Sequence, residues 1–119
     1  MDNIQIGVIE ARFADIIWKN EPVSSTQLVK ECEKTLGWKK STTFTVLKRL
    51  CEKGLFINNN GSVSSLVSRD DFYAVQSNRF VEESFSGSLP GFLAAFTANK
   101  KLNDEDIAYL KKLIKEHGE

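Results

Sequence analysis

The chain has 119 residues, 41% of them hydrophobic and 27% charged, which is enough for one compact core or for one small domain with an extension. No apolar run approaches the ~20 residues of a membrane span, and no basic and apolar leader opens the chain. The two cysteines do not suggest a disulfide framework, so we expect a cytoplasmic protein without membrane insertion. The net charge is zero, but six Lys/Arg stand against a single Glu between Lys34 and Lys53. This patch favours a local phosphate contact, and an ordinary solvated helix face is the alternative.

The first third of the chain predicts two helices. Apolar residues recur at steps of three and four over residues 4–19, and Pro22 follows the end of this first helix. Ser24 and Gln27 have the spacing of a capping box and predict the start of a second helix. Gly37 is a natural stop for it.

A third helix is predicted from about Ser41 to Lys53, with Gly54 as its stop. One face of this helix is suited to a core and contains Thr43, Val46, Leu47 and Leu50. The opposite face contains Ser41, Thr42, Phe44, Thr45, Lys48 and Arg49.

A β-hairpin, here called the wing, is predicted over residues 55–67. Leu55–Ile57 is a short apolar run, Asn60-Gly61 is a strong hairpin-turn signal, and Ser62–Val67 can return as the second strand. Three helices followed by a hairpin predict a mainly α fold, a winged helix-turn-helix over residues 1–67. We interpret these residues as a DNA-binding domain.

Residues 68–119 predict a helical dimerisation domain. Ser68 and Asn103 are capping residues, and Ser86–Ser88 interrupts the helical pattern. Three short helices in about 50 residues are below the size that folds alone, so a second copy is expected to cover them. Packing on the N-terminal domain is the alternative. The expected dimer contacts are Phe72, Val75, Phe80, Leu89, Phe92, Leu93, Phe96, Ile107, Leu110 and Ile114.

Catalytic and metal chemistry find little support. The only histidine is His117, and no nucleophile and base can be assembled around it. Cys32, Cys51 and His117 lack the clustered spacing of metal ligands, so both cysteines are interpreted as small buried hydrophobes. We therefore expect neither an enzyme nor a cofactor.

The outer face of the third helix is suited to nucleic acid. Short hydroxyl side chains can bind phosphates and base edges, and Lys48 and Arg49 can reach phosphates or guanine. Lys39 and Lys40 lie where a helix N-terminus already favours anions. Phe44 can pack against a thymine methyl group, or else against the wing or the first helix.

Five segments resemble the penicillinase-repressor family of the BlaI/MecI type: Ile16–Trp18, Pro22–Ser24, Trp38–Leu50, Glu52–Leu55 and Val67–Phe72. The resemblance covers nearly the whole chain and is most specific from Trp38 to Leu55. It implies a homodimer that binds a palindromic double-stranded DNA operator and blocks transcription, often of β-lactamase or related resistance genes.

The resemblance also implies relief of repression by proteolysis, triggered by a membrane-bound sensor that reacts with β-lactam. The matching bond is Ala95–Phe96, where the best-known members have asparagine before the phenylalanine. The wing usually carries arginine and tyrosine in this family. Here it carries Asn59 and Asn60, from which weaker phosphate contacts are expected.

Two other functions remain open on the sequence alone. A winged helix can bind a protein partner instead of DNA, and the zero net charge and uncharged wing favour that alternative. A ligand-sensing regulator would hold a small molecule near Phe92 and Phe96. The positive patch on the third helix is the feature that favours DNA.

Overall fold

Six α-helices and a three-stranded antiparallel sheet make up residues 4–118, the part of the chain that the computed structural model describes. The helices are α1 Val8–Asn20, α2 Ser25–Leu36, α3 Lys40–Glu52, α4 Arg69–Phe85, α5 Leu89–Thr97 and α6 Asp104–His117. The strands are β1 Val23–Ser24, β2 Phe56–Asn59 and β3 Ser62–Ser65, in the order β1-β3-β2. The predicted mainly α winged helix-turn-helix is confirmed.

The helix α1 begins four residues later than the apolar periodicity predicts. Gly7 is extended, with φ −78° and ψ 175°, and donates its N–H to Oε1 of Glu10 at 3.0 Å. This bond satisfies a backbone group at the helix start, where no carbonyl is available. Ile4 is buried although it precedes the helix, so its place in the apolar pattern reflects burial and not helical conformation.

The predicted boundaries of α2 are confirmed. Ser24 accepts a hydrogen bond from the N–H of Gln27 at 3.0 Å, as a helix N-cap does. Gly37 ends the helix with φ +67°, a left-handed conformation that glycine adopts without steric cost. These caps fix where α2 ends and so where α3 can begin.

The wing forms through the predicted Asn-Gly turn. Asn60 and Gly61 have φ values of +53° and +88°, the two positive angles of a type I′ turn, and Asn59 pairs with Ser62 across it. The third strand, β1, was not predicted. It pairs Val23 with Val63 and is two residues long, too short to show an alternating pattern.

Two compact units divide the chain inside α4, the first ending at Ser77 and the second beginning at Asn78. The first unit holds a core drawn from α1, α2, α3 and the sheet, whose largest fully buried members are Phe13, Ile17, Leu28, Leu47, Leu50, Leu55, Phe56 and Val63. Trp18 of α1 donates its indole N–H to the carbonyl of Val67 at 3.0 Å. This bond joins α1 to the segment that leads into α4.

Phe72, on the first turn of α4, is a core residue of the first unit. Its side chain is 2% exposed, and its ring centroid lies 5.6 Å from that of Trp18. A side chain buried within one protomer cannot also cover a partner, so we correct the sequence interpretation and remove Phe72 from the expected dimer contacts.

The second unit contains the end of α4 together with α5 and α6. Ser88 and Asn103 cap α5 and α6 by accepting hydrogen bonds from Gly91 and Asp106 N–H groups at 2.9 Å and 2.7 Å. Neither α5 nor α6 contains a buried residue. No helix within residues 4–118 is long and apolar enough to cross a membrane.

Candidate nucleic-acid interface

The buried face of α3 packs into the core and holds the helix in position. Thr43, Val46, Leu47 and Leu50 are all buried, as the 3.6-residue periodicity predicts. Because these side chains fix the rotation of the helix about its axis, the opposite face is presented to solvent in a defined orientation. This face is the candidate interface.

Three lysines on or beside α3 are available for phosphate contacts. Lys39 is the N-cap residue, Lys40 begins the helix, and Lys48 lies two turns further along. All three are exposed, and none forms an ion pair with a residue in the described part of the chain. Lys39 and Lys40 add charge at the helix end whose free N–H groups already favour anions.

Three hydroxyl side chains lie on the same exposed face. Those of Ser41 and Thr42 make no hydrogen bond with another described residue, whereas Thr45 donates its hydroxyl proton to the carbonyl of Ser41 at 2.9 Å. While that bond is made, Thr45 can only accept. It is therefore suited to an adenine or cytosine amino group in the major groove.

Phe44 is half-buried and packs against the core of the first unit. It lines a groove with Cys51 of α3, Phe56 and Ile57 of β2, and Leu66. This placement agrees with the predicted packing against the wing. A thymine contact by the remaining exposed surface stays a prediction.

Arg49 differs from the lysines because its charge has a partner. Its Nη1 lies 3.3 Å from Oε2 of Glu10 on α1, and Nζ of Lys53 lies 3.9 Å from the other carboxylate oxygen. The hydrogen bond from the Gly7 N–H is the main cause that lowers the pKa of Glu10 below its ordinary value. Desolvation, the second-largest cause, opposes this change, and Arg49 and Lys53 lower the pKa further. The sequence analysis missed this carboxylate because 39 residues separate the pair.

The tip of the wing presents amide side chains and no charge. Asn59 and Asn60 are exposed, whereas Asn58 accepts the N–H of Gly61 at 2.9 Å and so shapes the turn. At the far end of β3, Ser65 donates both its N–H and its hydroxyl to the carboxylate of Glu21, each at 2.8 Å. These bonds position the wing, and its tip offers hydrogen bonds without charge attraction.

Residues 6–116 match the sequence profile of the penicillinase repressor family. The chain belongs to that family. Its relatives include a penicillinase repressor of Bacillus licheniformis, 30% identical over 95% of this chain and 91% of the relative. The methicillin resistance regulatory protein MecI of Staphylococcus aureus strain Mu50 is 24% identical over 96% of this chain and 98% of its own length. The penicillinase repressor of Staphylococcus aureus is 24% identical over 93% of this chain and 91% of its own length.

Family membership confirms the resemblance drawn from the segments centred on Trp38 to Leu55. The match to this repressor family extends through both compact units, from α1 to the last turn of α6. The relatives are named as repressors and regulatory proteins, not as enzymes.

The remaining expected dimer contacts lie on α4, α5 and α6. Among them Phe80, Leu89, Phe96, Ile107 and Ile114 are large apolar side chains that stay exposed in one protomer. The other four, Val75, Phe92, Leu93 and Leu110, are partly buried. Four rings of the second unit pack against one another in tilted or edge-to-face pairs with centroids about 6 Å apart, namely Phe80, Phe85, Phe92 and Phe96.

The bond between Ala95 and Phe96 lies inside α5, and both residues are exposed. The Ala95 carbonyl accepts the N–H of Ala98 at 3.4 Å, so this segment is helical up to its end. A protease needs an extended backbone, so cleavage at this bond requires the last turns of α5 to unwind.

The two cysteines sit in apolar surroundings. Cys32 is fully buried, and desolvation raises the pKa of its thiol to about 11; burial also raises the pKa of Cys51. A thiol that stays protonated at neutral pH is a poor nucleophile and metal ligand. Within residues 4–118 no three His, Cys, Asp or Glu side chains are grouped so as to hold a metal ion.

Proposed function

We propose that this member of the penicillinase repressor family is a homodimeric transcriptional repressor that acts in the cytoplasm by binding a palindromic operator. Relatives named penicillinase repressor and methicillin resistance regulatory protein support antibiotic-resistance genes as its targets. In this proposal each protomer inserts α3 into the major groove of one half-site, and two-fold symmetry of the dimer matches that of the operator.

The outer face of α3 carries this proposal. It combines unpaired lysines, which provide salt-dependent affinity, with hydroxyl groups that can contact base edges. The inner face is buried, so the backbone that presents the proposed DNA contacts is held in a defined orientation. Lys39, Lys40 and Lys48 are the proposed phosphate contacts, and Ser41, Thr42, Phe44 and Thr45 the proposed base contacts. Asn59 and Asn60 add uncharged contacts from the wing.

We propose that the chain dimerises through the second unit, of which the structure describes residues 78–118. Because no residue of α5 or α6 is fully buried within one protomer, much of their apolar surface remains in water unless another surface covers it. A second copy presents the same apolar surface and closes the assembly with two-fold symmetry. The proposed domain assignment is a DNA-binding part over residues 1–67 and a dimerisation part over residues 68–119.

Relief of repression is proposed to follow cleavage between Ala95 and Phe96 by a membrane-bound, β-lactam-sensing protease. The exposure of both residues near the end of α5 is compatible with this step. Cutting α5 would divide the apolar surface that the proposed dimer uses, so the two events would be linked.

The experiment is selection from a pool of random duplex DNA, followed by sequencing, at two salt concentrations. We expect a palindrome to be enriched and the affinity to fall steeply as salt rises. Lys48→Ala should reduce the magnitude of the slope of log affinity against log salt by about one on all sequences. Lys115→Ala on α6 is the matched control, and its slope should equal that of the wild type.

An affinity that is indifferent to salt, or no enrichment, would contradict the proposal. That outcome would favour a protein-interaction module, for which the apolar groove between α3 and the wing is the specific supporting feature. A ligand-sensing regulator has its own support in a groove of about 300 Å³ lined by Phe92, Phe96 and Tyr109.

A further inference from the structure

Glu10 is the only described residue that forms ion pairs with Arg49 of α3 and with Lys53, which directly follows α3. Its carboxylate lies 3.3 Å from Nη1 of Arg49 and 3.9 Å from Nζ of Lys53. The Glu10 side chain is 18% exposed and that of Arg49 is 52% exposed, so the carboxylate is shielded while the guanidinium can still turn towards solvent. Of the two partners, Glu10 on α1 is therefore the less mobile one.

The two cations depend on Glu10 to different degrees. Lys53 also donates to the backbone carbonyl of Gln5 at 2.7 Å, which holds its ammonium whether or not Glu10 is charged. The guanidinium of Arg49 forms a hydrogen bond with Glu10 and no other with a described residue. Removing the charge of Glu10 therefore releases Arg49 more than Lys53.

We propose that Glu10 is an internal counterion that holds Arg49 away from phosphates and so weakens binding to DNA of any sequence. This inference rests on the proposed DNA-binding function. It assigns Glu10, which lies outside the candidate interface, as a positioning residue that acts through Arg49. The lysines of α3 then provide most of the phosphate contacts, and Arg49 contributes little to non-specific affinity.

The physical basis is the release of counterions from DNA. A cation that neutralises a phosphate releases salt ions and adds about 0.9 to the salt slope. Arg49 must first leave the Glu10 carboxylate with which it forms an ion pair, and this opposes its contact with a phosphate. While Glu10 is charged, Arg49 therefore adds little to the salt slope.

The test measures the affinity for a mixed-sequence duplex over a range of salt concentrations. Glu10→Gln keeps an oxygen that can accept the Gly7 N–H but loses the charge. We expect its salt slope to be steeper than that of the wild type by about one unit. We also expect binding at low salt to be about two- to fivefold tighter, the range for loss of a surface ion pair.

Two further variants show whether the effect passes through Arg49. Glu52→Gln removes the same charge from an exposed side chain of α3 that forms no ion pair with a described residue, and it should give a smaller change than Glu10→Gln. In the double variant Glu10→Gln, Arg49→Gln the gain should disappear. Arg49→Gln alone should lower the slope by clearly less than Lys48→Ala does, and this comparison needs no change at Glu10.

Equal effects of Glu10→Gln and Glu52→Gln would overturn the inference, because they would show a general charge effect. A gain that persists without Arg49 would do the same, as would an Arg49→Gln loss equal to that of Lys48→Ala. In these cases the wild type still binds duplex DNA in a salt-dependent way, so the proposed function stands. Salt-indifferent or absent binding by the wild type would overturn both.

Discussion

Glu10 has two structural roles at the start of α1. Its carboxylate accepts the N–H of Gly7 and, on its other side, the guanidinium of Arg49. The first contact ends the extended segment before the helix, and the second joins α1 to α3. One side chain therefore sets a helix boundary and the electrostatics of the candidate interface together.

The charge of Glu10 should stabilise the fold in a pH-dependent way. Its pKa is lower in the folded protein than the ordinary value of 4.5, chiefly because the Gly7 N–H favours the ionised form and Arg49 and Lys53 add to this. Its contribution is therefore fully present above about pH 4.5 and is lost as pH falls through the lower folded pKa.

Urea unfolding of the wild type and of Glu10→Gln checks this pH dependence. The range runs from about pH 6 to about pH 3, so that it includes the ordinary pKa of 4.5. The wild type should be the more stable protein at the upper end, and the difference should shrink towards the acid end. A difference that is constant over this range would show that the contacts of Glu10 do not depend on its charge.

At the scale of elements, short polar signals determine where each helix begins and ends. Ser24, Ser88 and Asn103 each accept a backbone N–H three residues ahead, and Gly37 ends α2 in the left-handed conformation. These signals are local, so the sequence reveals them directly. The wing depends on the same kind of local chemistry through Asn60-Gly61.

The wing should be sensitive to a side chain at Gly61. Its φ is +88°, where a Cβ is strained, and Gly61→Ala should lower the free energy of unfolding by roughly 1–2 kcal/mol. Gly7→Ala is the matched control, because Gly7 has φ −78° and the added Cβ meets only Oε1 of Glu10 at 3.9 Å. Urea denaturation measures both, and an equal loss in the two variants would show that the left-handed turn is not the cause.

At the scale of the whole molecule, the two compact units bury their apolar side chains to different degrees. The first unit encloses a core around Phe13, Ile17 and Phe56, whereas α5 and α6 of the second unit contain no buried residue. A unit whose helices expose their apolar side chains needs another surface to cover them, and we propose that a second copy of the chain does so.

The proposed dimer should dissociate when a charge enters the apolar surface of α6. Ile114 is 67% exposed, so Ile114→Lys should leave one protomer folded but desolvate a charge at the proposed contact. Sedimentation at several protein concentrations should show a monomer. Val8→Lys, at a side chain 79% exposed on α1, is the control and should remain a dimer. A dimeric Ile114→Lys would place the contact elsewhere.

The sequence by itself was sufficient for the order of the six helices and the hairpin, the buried face of α3 and the residues on its exposed face. Periodicity and capping residues carry this information because each depends on neighbours within a few positions. The specific segment from Trp38 to Leu55 was likewise enough to indicate the family. The roles of the individual side chains proposed to contact DNA stay predictions.

Only the tertiary structure decided the features that join distant parts of the chain. It showed that β1 pairs with β3, that Phe72 belongs to the first core, and that Arg49 forms an ion pair with Glu10. None of these leaves a local pattern: β1 is two residues long, Phe72 lies on a helix with apolar residues on several sides, and Glu10 is 39 residues from Arg49. Contacts between residues far apart in sequence form because the fold brings them together, so their chemistry becomes visible only in three dimensions.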